Sequence, residues 1–111
     1  MAATPEAKVK AKVHAKLKSH GAYAVNYIGG QYANNGTPDI LACYRGRFIA
    51  IECKAGKNKP TALQLRNLER IEDAGGLALV INETNLEVLN DLEAARSNWA
   101  DFGRSVTDPE G

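Results

Sequence analysis

The sequence has no long apolar run and only two cysteines. No stretch approaches the roughly 18 uninterrupted apolar residues of a membrane span, and its first residues lack the apolar core of a secretory signal. We therefore expect an intracellular, cytoplasmic protein that does not contact a membrane. Cys43 and Cys53 are too few for a disulfide framework, and no Cys/His spacing suggests zinc. We expect both to be buried free thiols, because cysteine commonly behaves as a small core hydrophobe.

The sequence also lacks a strong net charge, but its charges are unevenly distributed. The net charge is +1, and 44% of the 111 residues are hydrophobic, which predicts one globular domain over residues 1–102 with a frayed tail at 103–111. The first twenty residues contain one acid, Glu6, and five lysines: Lys8, Lys10, Lys12, Lys16 and Lys18. An anionic partner would meet this segment, although an ordinary solvated helix face would carry the same charges.

Hydrophobic periodicity predicts the order helix, three strands, helix, strand, helix, which is an α/β fold with a mixed central sheet. The predicted segments are a helix from Pro5 to about residue 20, strands at 22–28, 40–44 and 48–53, a helix at 62–74, a strand at 77–81 and a final helix after Thr84. The run 29–36 is loop by composition. The fully apolar strand 77–81 has the pattern of a central strand covered on both faces.

Helix caps support the three predicted helices. Thr4 precedes Pro5 at the start of the first helix. Thr61 and Gln64 have capping-box spacing, and a second such pair, Thr84 and Glu87, precedes an apolar stripe that ends at Trp99.

The two strands around Arg45-Gly46 predict a hairpin with charges at its open end. If these two residues form the loop, Asp39 lies directly opposite Glu52, Lys54 shares their face, and Cys53 points to the other face. Opposed side chains lie about 4.5–5.5 Å apart at Cβ, and like charges there cost on the order of 0.2–1 kcal/mol. A divalent cation such as Mg²⁺ would remove this repulsion, since it binds through one or two carboxylates plus water and phosphate oxygens. The alternative is a chance hairpin whose end charges reach solvent.

These residues resemble a known nuclease motif. Thr37-Pro38-Asp39 followed by Glu52-Cys53-Lys54 resembles the P-D…(D/E)-x-K motif of the PD-(D/E)XK superfamily, and the closer resemblance is to its virus-type replication-repair nuclease (VRR-NUC) domain. The segments Gly36–Asp39, Tyr44–Arg47 and Ile51–Lys54 are typical of that family. The resemblance runs from about Glu6 to Ile81 and implies a restriction-endonuclease-like core.

The resemblance also implies roles at the hairpin end. Asp39, Glu52 and the backbone carbonyl of Cys53 would bind Mg²⁺ or Mn²⁺, with no organic cofactor. Lys54 would orient the attacking water and stabilise charge on the phosphate.

Glu6 and Gln64 each allow two interpretations. Glu6 lies in line with the buried stripe of the first helix, within roughly 20° of Val13, and the family places a metal-binding acid on this helix. The helix dipole alone would also favour an acid in the first turn. The family places Gln64 near the active site, whereas the capping box explains it without any catalytic role.

Basic residues predict a surface for the nucleic-acid backbone, although each alone could be a solvated charge. The candidates are Lys10, Arg45, Arg47, Lys57, Lys59 and Arg66. By family resemblance we expect a homodimeric DNA endonuclease in a viral or bacterial host cell, serving DNA repair and cutting branched DNA such as Holliday junctions. The alternatives are a nuclease acting on flaps, single strands or RNA, and a catalytically silent nucleic-acid-binding module.

Overall fold

The computed structural model describes residues 3–28 and 36–103. Most of the predicted loop 29–36 and of the predicted tail 103–111 therefore lies outside the described residues. The regular elements are helix α1 (Pro5–Ser19), strands β1 (Tyr23–Asn26), β2 (Ile40–Tyr44) and β3 (Arg47–Cys53), helix α2 (Ala62–Asp73) and strand β4 (Leu77–Ile81). Within the described ranges, no helix is long and apolar enough to cross a membrane.

The four strands form one mixed sheet in the order β1-β2-β3-β4. β1 pairs with β2 and β2 with β3 in antiparallel fashion, whereas β4 runs parallel to β3. The predicted hairpin register is confirmed, since Tyr44 pairs with Arg47 and Ile40 with Ile51. Arg45 and Gly46 both have positive φ, 51° and 82°, as a type I′ two-residue turn requires.

The two helices cover opposite faces of this sheet. Val9 and Val13 of α1 are buried in the larger core with Ile51, and Leu68 of α2 is buried with Val80 in the smaller one. Both helices begin at the predicted caps: Thr4 accepts a hydrogen bond from the backbone of α1, and Thr61 and Gln64 form the complete capping box of α2. The predicted α/β class with a mixed sheet is confirmed.

The position of β4 corrects one expectation. β4 is fully buried as predicted, but it lies at the edge of the sheet rather than at its centre. Its outer backbone groups bind side chains instead of another strand: Ala78 N donates to Ser97 Oγ at 2.9 Å, and Val80 N donates to Asn98 Oδ1 at 2.7 Å. The Asn98 amide returns a bond to Val80 O at 3.0 Å, so this buried edge is satisfied without a fifth strand.

The prediction of a final helix after Thr84 is wrong. The segment instead contains two short 3₁₀ helices, Leu86–Asn90 and Trp99–Phe102. Polar side chains compete with helical hydrogen bonding there: the side-chain Oδ1 of Asn82 accepts from Thr84 N at 2.8 Å, and the Asp91 carboxylate accepts from two later backbone N–H groups. Thr84 therefore caps no helix.

The prediction that both thiols are buried is also wrong for Cys43. Both cysteines are free, but Cys43 is exposed while Cys53 is fully buried. Cys43 pairs with Tyr23 of β1 and with Phe48 of β3, so the three side chains lie on the same face of the sheet. α2 packs on this face, but it covers only β3 and β4. Tyr23, Val25, Cys43 and Phe48, which are all exposed, are called the open sheet face below.

Candidate active site

The Asp39 carboxylate is held at the open end of the β2–β3 hairpin. Asp39 directly precedes β2, and its backbone carbonyl accepts from Tyr27 N at 2.8 Å. Its side-chain Oδ2 accepts from Cys53 N at 2.8 Å, so the carboxylate takes the place of a strand bond at the end of β3. This contact places Asp39 beside Glu52, as the hairpin register predicts.

A glycine turn fixes the approach to Asp39. Gly36 has φ of 86°, which L side chains rarely adopt. A Cβ at this position would also lie 2.9 Å from both Leu63 O and Asn67 Nδ2 of α2. The turn before Pro38 therefore packs directly on α2, and only glycine meets both conditions.

Glu52 is a buried carboxylate with one unsatisfied oxygen. Its residue is 2% exposed, Oε2 lies 3.4 Å from Lys54 Nζ, and Oε1 has no hydrogen-bond partner among the described residues. Burial, and after it the Asp39 charge, raise the pKa of the Glu52 carboxyl to about 8, while Lys54 acts in the opposite direction. An unpaired, buried carboxylate oxygen is costly to the fold and indicates a group kept for binding.

The Asp39–Glu52 pair fits a hard divalent cation. Glu52 offers the orphaned Oε1, and Asp39 has one oxygen beyond the one bound to Cys53. The N–H and C=O of one residue point to the same side of a strand, so the Cys53 carbonyl also faces Asp39. Among residues 3–28 and 36–103, no three His, Cys, Asp or Glu side chains are grouped closely enough to hold a metal ion. A bound ion would therefore complete its shell with backbone, water and phosphate oxygens.

Glu6 lies near this pair without joining it in a three-carboxylate group. It is half-buried in the first turn of α1 and lines a cleft with Ala55, Gly56 and Lys57. Burial and the charges of Asp39, Glu52 and Glu6 raise the pKa of the Cys53 thiol to about 12, which places Glu6 within electrostatic range of the end of β3. Its predicted role as a metal ligand stays a prediction.

Two lysines face the two carboxylates. Lys54 follows β3, is 14% exposed, and its backbone N donates to Ile81 O at 3.0 Å, which continues the parallel pairing with β4. Lys10 lies one turn after Glu6 on α1, and its Nζ is 4.0 Å from Asp39 Oδ1. The sequence predicts Lys10 only as a contact to nucleic acid, and the structure adds its ion pair with Asp39.

The loop after β3 is anchored by an acid that the sequence analysis missed. Both carboxylate oxygens of Glu83 accept from Gly56 N, at 3.0 and 3.1 Å. Lys57 and Lys59 are exposed on this loop, three and five positions after Lys54. Because β3 and β4 are parallel, their carboxyl ends lie at the same end of the sheet. Glu83, two residues after β4, could have been placed near the site on this basis.

The remaining predicted residues lie apart from the carboxylates. Arg45 and Arg47 lie at the hairpin tip, and Arg47 is separated from Glu52 by about 16 Å of extended strand. Arg45 pairs with Glu93 at 3.1 Å.

The two predicted side chains on α2 have local partners. Arg66 lies 3.4 Å from Glu69. Gln64 Oε1 accepts from Thr61 N at 2.8 Å, so its capping role is confirmed. A catalytic role for Gln64 stays a prediction.

Comparison with known proteins agrees with this geometry. A solved structure described as a VRR_NUC domain matches the fold with a TM-score of 0.59 and 23% sequence identity, over 79% of this chain and 92% of that chain. A phage protein named "Putative nuclease p44", from Acyrthosiphon pisum secondary endosymbiont phage 1, is 32% identical over 77 residues, 63% of this chain and 83% of the relative. No protein-family model matches the chain.

The mixed sheet, the two flanking helices and the paired acids at the hairpin end define a fold of the restriction-endonuclease-like class. Within that class, the chain has the fold of a VRR-NUC domain, and it belongs to the same family as the phage protein named "Putative nuclease p44".

Proposed function

We propose that this protein is a Mg²⁺- or Mn²⁺-dependent endonuclease that hydrolyses phosphodiester bonds in DNA. The observation that carries the proposal is the buried Glu52 carboxylate, whose Oε1 has no partner although Asp39 lies beside it and Lys54 is 3.4 Å away. A protein that only folded or only bound an anion would gain nothing from this arrangement, because two adjacent acids repel each other and repel phosphate.

Asp39, Glu52 and the Cys53 carbonyl would hold the divalent ion, and Lys54 would act on the substrate. When bound, the ion polarises a phosphoryl oxygen and lowers the pKa of a coordinated water. The Lys54 ammonium, held against Glu52 at the floor of the site, orients the attacking water and stabilises negative charge as it develops on the phosphate. The Glu52 carboxylate in turn keeps Lys54 in place.

The DNA would pass over the loop after β3. Lys57 and Lys59 are exposed there, and the Glu83–Gly56 hydrogen bonds restrain the loop close to the carboxylates. Phosphates held by two lysines beside the site would bring the scissile bond to the metal without reading base sequence. This supports selectivity for the shape of DNA, and we propose branched DNA such as a four-way junction as the substrate.

We also propose that the protein acts as a homodimer, since a two-fold symmetric pair of sites matches a two-fold symmetric junction. The open sheet face is the surface where we expect the copies to meet: Tyr23 is 73% exposed and Phe48 45% exposed, in one row across the sheet. Sedimentation equilibrium of the wild type and Tyr23→Lys tests this, because a monomeric wild type would contradict the dimer and an unchanged mass in the variant would contradict this surface.

A labelled substrate panel tests the activity. A four-way junction, a duplex, a flap, a single strand and an RNA of matched sequence are incubated with Mg²⁺, Mn²⁺ or EDTA. The wild type should cut the junction at symmetric positions in either metal and nothing in EDTA. Glu52→Gln should be inactive yet still bind the junction, whereas Glu87→Gln, an exposed acid outside the site, should retain full activity.

Each other outcome favours a different function. Cleavage of flaps, single strands or RNA with the junction left intact would make the protein a nuclease of different substrate choice. Junction binding without cleavage in any divalent ion would make it a binding module. Full activity of Glu52→Gln would remove the proposed chemistry altogether.

A further inference from the structure

We propose that Lys10 is the built-in counter-ion of this site: it pairs with Asp39 in the metal-free protein and weakens divalent-cation binding until it is displaced. The inference rests on the proposed metal site and adds a residue that tunes it. Lys10 Nζ lies 4.0 Å from Asp39 Oδ1, and Lys10 is one helical turn from Glu6.

The free oxygen of Asp39 is the one that Lys10 faces. Asp39 Oδ2 accepts the hydrogen bond from Cys53 N at 2.8 Å, so Oδ1 is the oxygen available to a metal ion. Lys10 Nζ lies 4.0 Å from Oδ1, so its positive charge repels a cation that binds this oxygen. A metal ion on Oδ1 would therefore displace the ammonium.

The two lysines of the site differ in how readily they can move. Lys54 is 14% exposed and pairs with Glu52 at 3.4 Å, whereas Lys10 is 33% exposed and makes the longer 4.0 Å contact. A long side chain that is one-third exposed keeps rotamers that reach water, and a pair at that distance is weak. The helix itself is firmly placed by buried Val9 and Val13, so the displacement involves the Lys10 side chain alone.

The placement of Lys10 has a double consequence for binding. Without metal it offsets the charge of Asp39, which lies beside the already buried Glu52. Once displaced, its ammonium would be free to pair with a phosphate of the substrate. Lys10 thereby lowers the affinity of the free protein for the metal ion. This effect is smaller when DNA is bound, because the displaced ammonium can then pair with a phosphate.

Counting free Mn²⁺ by electron paramagnetic resonance in DNA-free protein tests the inference. Lys10→Met keeps the apolar stem of the side chain and removes its charge, and we expect it to bind Mn²⁺ about threefold to tenfold more tightly than the wild type. Lys12→Met is the matched control, because it removes the same charge from an exposed position two residues along α1. It should change the affinity by less than about twofold. Lys10→Arg, which restores a cation, should return the affinity toward the wild-type value.

The outcomes separate this inference from the proposed function. If Lys10→Met binds Mn²⁺ no more tightly than Lys12→Met, while Asp39→Asn loses the ion, the counter-ion role is overturned and the metal site stands. If neither the wild type nor Lys10→Met binds Mn²⁺, both proposals are overturned. Far-ultraviolet circular dichroism of each variant confirms that the fold is intact.

Discussion

The Asp39 side chain accepts a hydrogen bond from the backbone N–H of Cys53 at 2.8 Å, across the open end of a hairpin. This bond joins the residue before β2 to the last residue of β3 and sets two carboxylates side by side. Asp39 thus has a structural role through Oδ2 and leaves Oδ1 for chemistry. The buried Glu52 beside it has no such backbone partner. Substituting Glu52 therefore separates activity from folding better than substituting Asp39 does.

The metal-free protein should lose stability as pH rises from about 4.5 to about 8. The folded-state pKa of Glu52 is raised from 4.5 to about 8, so folding is favoured by the neutral acid. That stabilisation is fully present below the unfolded-state pKa and is lost as pH rises through the folded-state pKa, with a change of at most about 5 kcal/mol. Thermal unfolding in EDTA between pH 4.5 and 9 measures it, with wild type compared to Glu52→Gln.

The Glu52→Gln variant isolates this group because it cannot ionise. Its stability should depend on pH less steeply than that of the wild type, and it should be the more stable of the two at pH 9. Added Mg²⁺ should stabilise the wild type at pH 9 but have little effect on the variant, since a ligand that binds only the native state stabilises it. Parallel pH profiles for the two proteins would mean that ionisation of Glu52 does not destabilise the folded protein, and that its pKa is not raised.

Replacing Lys57 and Lys59 together by glutamine should weaken DNA binding and its salt dependence. Each phosphate contact contributes roughly 0.9 to the slope of log K against log salt, so losing two should reduce the slope by about 1.8. Fluorescence anisotropy in EDTA, between about 50 and 200 mM salt, measures binding without cleavage.

Arg45→Gln with Arg47→Gln is the matched double variant, at the far end of β3. If it reduces the slope as much as the lysine pair does, the DNA covers the hairpin tip as well, as the sequence analysis predicts. A slope that changes in neither variant would leave all four as solvated surface charges.

Gly36→Ala should destabilise the protein more than Gly46→Ala does. Both glycines have positive φ, 86° and 82°, so alanine strains either backbone by about 1–2 kcal/mol. At Gly46 the new methyl group meets nothing within 4 Å, whereas at Gly36 it would lie 2.9 Å from Leu63 O. The difference between the two variants in urea unfolding should therefore be about 1–3 kcal/mol, which isolates the close contact. Equal losses would show that the turn can move away from α2 freely.

The two cysteines should react at very different rates. Burial raises the pKa of the Cys53 thiol to about 12, while Cys43 is exposed on the open sheet face. A thiol-specific chromogenic reagent at pH 8 should label one group rapidly in the native monomer, at a protein concentration low enough to dissociate the proposed dimer, and two in denaturant, because the thiolate is the reactive form. Cys43→Ser should remove the rapid phase. A rapid phase that persists in Cys43→Ser would mean that the β3 end opens readily.

The sequence by itself determined the local structure and the chemical character of the site. The hairpin register followed from a two-residue loop and strand alternation, which placed Asp39 opposite Glu52. The starts of α1 and α2 followed from capping residues, Thr4 and Thr61, whose hydrogen-bond partners lie within four residues in the chain. These features are short-range, so the residues that decide them are neighbours in the chain.

Only the tertiary structure decided which distant groups meet. The segment after Thr84 has a helical pattern, but its Ser97 and Asn98 side chains bind the free edge of β4, and those bonds replace a helix. The pairing of Lys10 with Asp39 likewise depends on how α1 packs across the sheet. Periodicity and spacing do not record such contacts, because they form between residues far apart in sequence and their energies depend on packing geometry.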